Sequence, residues 1–272
     1  MSMIEAVILG IVQGLTEFLP VSSSGHLVLL QQIFGINEPG LFLDTMLHAG
    51  TLVAVFIVLW KDIFALLKKP IQKLTLFLII ATIPAVIVAL VFNDKIEEIF
   101  KSARFLGFCF LITTVLLVLA ELLSRRSMPA NGGQTSAKTE TNMRWIDALF
   151  IGIMQAVAIL PGISRSGATI SGALFRKLDR DFAARFSFLL SIPAILGALV
   201  LQSKDLVTDG TAENINVAAV IAGTLAAAIV GFFAIRFMLK IIREKSLFGF
   251  AIYTGVLGVL VLIDQFVTRI VF

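Results

Sequence analysis

Two short polar stretches interrupt an apolar sequence and hold most of the side chains able to do chemistry. The first runs through Gln13-Gly-Leu-Thr-Glu17 to Pro20-Val-Ser-Ser-Ser-Gly-His26, and the second is Pro161-Gly-Ile-Ser-Arg-Ser-Gly-Ala-Thr169. Gln13 and Glu17 are four residues apart, so a helix sets them on one face. Gly10 and Gly14 beside them allow close backbone approach. Apolar residues flank Glu17, and a carboxylate at membrane depth costs roughly 2.5–3.5 kcal/mol, so it is expected to face a cavity or a partner. Ser22, Ser23 and Ser24 precede an apolar helical run, which is the pattern of an N-cap with open backbone N–H groups. Capping alone needs one serine. His26 follows as a candidate acid or base, although a lone histidine more often packs within a bundle.

The second stretch offers Ser164, Arg165, Ser166 and Thr169, and Arg165 is the only basic residue between Arg144 and Arg176. A guanidinium there stays charged. It serves either as an ion-pair partner for Glu17 or as a fork for phosphate oxygens. Helix N-termini attract anions through free N–H groups and the dipole. Two such ends with Arg165, the seryl hydroxyls and His26 make a phosphate- or diphosphate-shaped site. Glu17, an anion beside an anion site, then suits a divalent-metal ligand or a general base. That combination points to phosphoester or phosphoanhydride hydrolysis, with the nucleophile open between a seryl hydroxyl, the imidazole and an activated water. Asp44 and His48, four apart at the start of an apolar run, read as an interfacial hydrogen bond. Lys95, Glu97 and Glu98 read as a solvated loop, and the 23 phenylalanines as lipid-facing bulk and core.

The elements that must position these residues are membrane helices. Hydrophobic residues make up 58% of the 272 and charged residues 15%, with mean hydropathy +0.99. Lipid is therefore the expected solvent, and backbone groups within it must be satisfied inside each segment. Full spans are predicted at 41–60, 72–92, 105–123, 183–201, 216–235 and 247–265. Segments 3–34 and 146–175 begin like spans but break at the two polar stretches, as re-entrant helical hairpins do. The single cysteine, Cys109, lies in an apolar run and reads as packing. A pI near 9.4 is better explained by lysines and arginines in cytoplasmic loops than by nucleic acid, which is not an expected partner. No removable signal peptide is expected at the N-terminus.

A constant offset of 142 residues relates Gly10 to Gly152, Gln13 to Gln155, Ser22 to Ser164, Ser24 to Ser166 and Gly25 to Gly167. The fold expected is an all-α polytopic membrane protein built as an inverted-topology repeat. One half is 1–123, the other 145–272, and each holds one hairpin and three spans. Residues 124–144 read as a flexible cytoplasmic linker. Lys61, Lys68, Lys69 and Lys73, then Arg125, Arg126, Lys138 and Arg144, then Arg236, Lys240, Arg243 and Lys245 mark inner loops. The acidic stretch with Asp205, Asp209 and Glu213 and the mixed loop 93–104 fall outside, so the hairpins enter from opposite faces.

These motifs closely resemble the undecaprenyl-diphosphate phosphatase family, membrane proteins associated with bacitracin resistance, over essentially the full length. The resemblance implies a bacterial plasma-membrane enzyme that hydrolyses undecaprenyl diphosphate to the monophosphate carrier of peptidoglycan synthesis, at a site open to the outer, periplasmic face. Its partners would be the polyprenyl diphosphate and membrane lipids. Bacitracin would compete by binding that substrate, and a homodimer is left open. By position the resemblance gives Glu17, Ser23, His26 and Arg165 as the core of the site. Ser22, Ser164, Ser166 and Thr169 would support it, with Gln13 and Ser24 alongside for substrate binding. It also implies a divalent cation, Mg2+ or Ca2+, with Glu17 as its ligand. The family allows Glu or Gln at the first motif position, and Gln13 leaves Glu17 the one carboxylate of that motif. Phosphatidic-acid-type phosphatases are set aside, because their Lys-x6-Arg-Pro element and distal histidine are missing. The alternative in another class is a prenyl-phosphate transporter or flippase, since inverted repeats with broken helices are a transporter architecture.

Overall fold

The computed structural model describes residues 2–36, 41–126, 137–209 and 216–272. Those residues form helices: α1 Met3–Thr16, α2 Ser23–Ile33, α3 Leu41–Val58, α4 Trp60–Lys68, α5 Lys73–Val91, α6 Asn93–Ser102, α7 Leu106–Arg126, α8 Trp145–Val157, α9 Arg165–Phe175, α10 Arg180–Asp209, α11 Val217–Glu244 and α12 Phe248–Ile263, the last running into a π turn at Asp264–Thr268. Among them, five are long and apolar enough to cross a membrane, at Lys73–Val91, Leu106–Ser124, Arg180–Val200, Val217–Glu244 and Phe248–Thr268. The pair α3 and α4 makes a sixth if counted as one span, although it bends by 79°. The chain is a multi-pass membrane protein.

Both predicted breaks are present. Segment 3–34 becomes α1 and α2 joined through 17–22, and segment 146–175 becomes α8 and α9 joined through 158–164. Ser22 caps α2, its Oγ accepting from the Gly25 N–H at 3.3 Å, and Ser164 caps α9, its Oγ accepting from the Gly167 N–H at 3.0 Å. The apolar residues of the first break, Phe18, Leu19 and Val21, are buried in the core. Phe18 meets Phe188 edge-on, with ring centroids 5.4 Å apart. Anchoring those side chains leaves the polar residues of the turn to face one another, which irregular backbone at membrane depth requires. Packing between helices relies on small residues. A methyl added at Gly10 would collide with the Gly223 carbonyl, and one at Gly152 would sit 2.5 Å from the Ala81 carbonyl oxygen. So α1 lies against α11 and α8 against α5, while α7 runs beside α12.

Four expectations change. The span 216–235 belongs to a helix that runs on to Glu244, so Arg236, Lys240 and Arg243, expected in an inner loop, are helical. The loop containing Lys95, Glu97 and Glu98 is a helix, α6, because Ile96 and Ile99 are spaced to share one face. The span 41–60 stops at Val58, where Lys61 and Asp62 follow a run of apolar residues and the chain turns aside as α4 with Ile63 buried. Where the linker 124–144 is described it is not a free connector: its start continues α7 to Arg126, its end is fastened to the second hairpin, and 127–136 lie outside the described residues. Lys138 N–H donates to the Lys177 carbonyl at 2.8 Å. Lys138 Nζ and Arg176 Nε meet the fully buried Asp147 carboxylate at 2.9 and 2.7 Å. Cys109 is free and buried, as expected of a packing residue.

Candidate active site

The site forms where the two breaks touch. A methyl at Gly25 would lie 2.9 Å from Gly162 Cα, and Ser166 Oγ donates to the Leu19 carbonyl at 3.0 Å. The N-terminus of α2 and that of α9 therefore open on one volume, and Glu17 stands between them, buried. Ser23 Oγ donates to Glu17 Oε2 at 2.5 Å, and Gln13 Nε2 donates to the same oxygen at 3.0 Å. Arg165 Nη2 donates to the other oxygen, Oε1, in a buried ion pair. Of the two roles open to Arg165, the ion pair with Glu17 is the one seen. Among the described residues its guanidinium engages protein through Nη2 alone, so Nε and Nη1 remain for another acceptor.

Each helix start adds donors. The first backbone N–H groups, those of Ser23 and Ser24 on α2 and of Arg165 and Ser166 on α9, have no protein acceptor among the described residues. With Arg165 they make a concave set of donors suited to a phosphate group. The serines and threonine expected to support the site are mostly engaged in shaping it. Ser22 and Ser164 cap their helices, with Ser24 Oγ 3.4 Å from Ser22 Oγ and Ser166 Oγ 3.3 Å from Ser164 Oγ. Thr169 Oγ1 donates to the Arg165 carbonyl at 2.8 Å and meets Ser187 Oγ at 2.6 Å, and among the described residues it makes no bond to Glu17. Thr113 on α7 holds the second break, accepting the Ser164 N–H at 3.0 Å and donating to the Gly162 carbonyl at 3.2 Å.

His26 is not brought to Glu17. Its Nδ1 lies 2.7 Å from the Ser22 carbonyl and its Nε2 2.7 Å from the Tyr253 hydroxyl. The histidine beside Glu17 is the other one: His48 Nε2 is 3.6 Å from Oε2. His48 Nδ1 donates to the Asp44 carbonyl oxygen at 2.7 Å, and the Asp44 carboxylate accepts from Gln31 Nε2 at 2.9 and 3.0 Å. The expected bond between Asp44 and His48 is therefore present, but it aims the imidazole into the site instead of ending at an interface. The available signal was an ionisable side chain inside an apolar span. Among the described residues no three His, Cys, Asp or Glu side chains gather as a metal cage. The oxygens at hand for a hard cation are those of Glu17 and Gln13 Oε1, the latter buried without a hydrogen-bond partner.

Residues 6–260 match the family described as bacitracin resistance protein BacA. The chain is 50% identical over 266 residues to undecaprenyl-diphosphatase 3 of Bacillus cereus, covering 98% of both chains. It is 48% identical over 270 residues to the undecaprenyl-diphosphatase of Carboxydothermus hydrogenoformans, covering 97% of this chain and 98% of the relative. With that of Halothermothrix orenii the identity is 42% over 265 residues, covering 97% and 98%.

Proposed function

The chain belongs to the family of bacitracin resistance protein BacA, and from that premise we propose that it hydrolyses undecaprenyl diphosphate to undecaprenyl phosphate and phosphate, recycling a lipid carrier and conferring bacitracin resistance. The observation that carries the chemistry is the pairing at Glu17, with a seryl hydroxyl at 2.5 Å on one oxygen and a guanidinium on the other. In this reading the terminal phosphoryl group enters between the starts of α2 and α9. It is held by the open backbone N–H groups and by Arg165 Nε and Nη1. Ser23 Oγ attacks the terminal phosphorus while its proton passes to Glu17 Oε2. The bridging P–O bond breaks, and undecaprenyl phosphate departs with the proton Glu17 took. Water then attacks the phosphoserine and gives a proton to Glu17, the Oγ–P bond breaks, Ser23 Oγ takes that proton back from Glu17 Oε2, and phosphate leaves. A polyprenyl tail explains why such a site sits at membrane depth.

A divalent cation, Mg2+ or Ca2+, is part of the proposal. Glu17 and Gln13 Oε1 are the oxygen donors that would hold such an ion. When bound it would neutralise charge on the diphosphate. Removal of divalent ions by chelation is expected to depress turnover, and full activity in chelator would refute this part.

The finer architecture we propose is the inverted repeat, with the site open to the outer face of the bacterial inner membrane. The support for the repeat is internal. The offset of 142 residues carries Gly10 to Gly152 and Ala81 to Gly223. The close approaches of Gly10 to Gly223 and of Gly152 to Ala81 are thus one contact made twice with the halves exchanged. The capping bonds of Ser22 to Gly25 and of Ser164 to Gly167 repeat at the same offset. That symmetry also favours the transport reading, which predicts no phosphate release.

Rapid-quench with substrate labelled in the terminal phosphate, on protein purified in detergent, tests the central claim. Phosphate release with trapped phosphoserine, lost in Ser23→Ala, is expected. Release without a phosphoenzyme, together with substantial Ser23→Ala turnover, would leave a water nucleophile in its place.

A further inference from the structure

The chain's only tyrosine, Tyr253, lies on α12, 227 residues from His26, and is bonded to it. The hydrogen-bond roles follow from chemistry. The Ser22 carbonyl only accepts, so His26 Nδ1 carries a proton. In the neutral ring Nε2 is then an acceptor, and the Tyr253 hydroxyl donates to it. The two rings lie nearly parallel, 7° apart, and the edge of Phe110 from α7 closes a third side with centroids 5.6 Å apart. Those are the groups that face His26: the Ser22 carbonyl, the Tyr253 phenol and Phe110. No carboxylate or cation is paired with it among the described residues.

The braced carbonyl is at an unusual place. Ser22 has φ of 72°, in the left-handed region that a residue with a side chain seldom adopts, and the surrounding structure must over-determine it. Its oxygen is held from two points on one residue, by the His26 N–H at 3.2 Å and by Nδ1 at 2.7 Å. The next residue is Ser23, whose Oγ faces Glu17. A misdirected hydroxyl here costs rate even where binding is intact.

We infer that Tyr253 is a positioning residue of the hydrolysis: it fixes the ring and tautomer of His26, which braces the Ser22 peptide and so aims Ser23 Oγ. This rests on the seryl reading above. His26 then has both nitrogens committed to the brace and does not move the reaction's protons. None is required of it, because the leaving group is a phosphate monoester that departs as an anion and Glu17 handles the seryl proton.

The test is rapid-quench kinetics on Tyr253→Phe, which keeps the ring and loses only the hydroxyl. Phosphoserine formation is expected to slow about three- to tenfold, the worth of one neutral hydrogen bond. KM and the thermal midpoint should hold, which a merely structural role would not predict. In a His26→Ala background the same change should have no further effect, since the two residues act as one unit. In 15N-histidine spectra, assigned with His48→Gln, His26 should show the Nδ1–H tautomer. Wild-type phosphorylation rates in Tyr253→Phe, equal losses in both backgrounds, or an Nε2–H tautomer would each overturn the inference. Failure of the seryl reading looks different, because wild-type protein would then release phosphate with no phosphoserine at all.

Discussion

Replacing Glu17 by glutamine separates two roles that the ion pair with Arg165 combines. The carboxylate is buried, and its side chain and that of Arg165 are 5% and 17% exposed. The glutamine keeps the shape and one acceptor oxygen but leaves the guanidinium without its counter-charge. Breaking a buried pair from one side typically costs about 3–5 kcal/mol. At roughly 2–4 °C per kcal/mol for a chain of this size, the thermal midpoint should fall by about 10 °C. The same change removes the group that takes the Ser23 proton in the proposed mechanism, an expected loss of roughly 10²- to 10⁴-fold in turnover. The double variant Glu17→Gln/Arg165→Gln removes both charges, so it should regain most of the lost stability while remaining inactive. Thermal unfolding in detergent, run beside phosphate release from the same preparations, reads both quantities. A double variant less stable than Glu17→Gln would show that Glu17 is not the counter-charge of Arg165. Turnover in Glu17→Gln above a tenth of wild type would show that the carboxylate is not the proton acceptor.

Arg165→Lys retains charge but not the planar fork, and turnover is expected to fall by about 100-fold or more; near-normal phosphate release from the folded variant would mean that a point charge suffices. His48→Ala should lower kcat about three- to tenfold with little change in thermal midpoint, because Glu17 keeps Arg165 and Ser23 but loses a neighbour at Oε2. An unchanged kcat would make that contact incidental. The opposed hairpins are tested by labelling. With the buried Cys109 as the sole native thiol, a cysteine at Glu140 should react only from the cytoplasm and one at Lys95 only from outside, and reaction of both from one face would refute the inverted topology.

Much of the site was legible because lipid makes polar residues conspicuous. Glu17, the serine cluster and Arg165 stood out against apolar neighbours, and the two breaks announced themselves through Pro20 and Pro161 with serines and glycine after them. What the sequence could not convey is direction. Thr169 has the right type and place, yet one helical turn sends its hydroxyl to Ser187. His26 was equally conspicuous and points to α12, whereas His48, near a predicted span end, reaches Glu17 because Asp44 and Gln31 fix that stretch of α3. Tyr253 carried no signal at all, since nothing local distinguishes a tyrosine in an apolar helix from packing. The short helices were misjudged for a different reason. In α6 two isoleucines three apart outweigh the charges around them, and in α4 a change from apolar to mixed sequence ends a span by bending it.

The charge arrangement at Glu17 explains why two breaks are needed where one would hold a phosphate. A single helix N-terminus supplies donors but no base, and a base beside an anion site repels the substrate it is meant to attack. Placing Arg165 from the second break on one oxygen of Glu17 neutralises the carboxylate while leaving the other oxygen to Ser23 from the first break. The guanidinium still presents Nε and Nη1, so it can hold a phosphoryl oxygen without first releasing Glu17. Gln13 fits the same logic: it donates to Glu17 through Nε2 and adds no further negative charge beside an incoming diphosphate. In the proposed mechanism nucleophile and base thus come from one hairpin and the cation from the other, and the geometry exists only while both hairpins are docked. The glycine contacts of α1 with α11 and of α8 with α5 matter to chemistry for that reason, because a shift of either hairpin would separate Arg165 from Glu17 before it disturbed the cluster around Ser23.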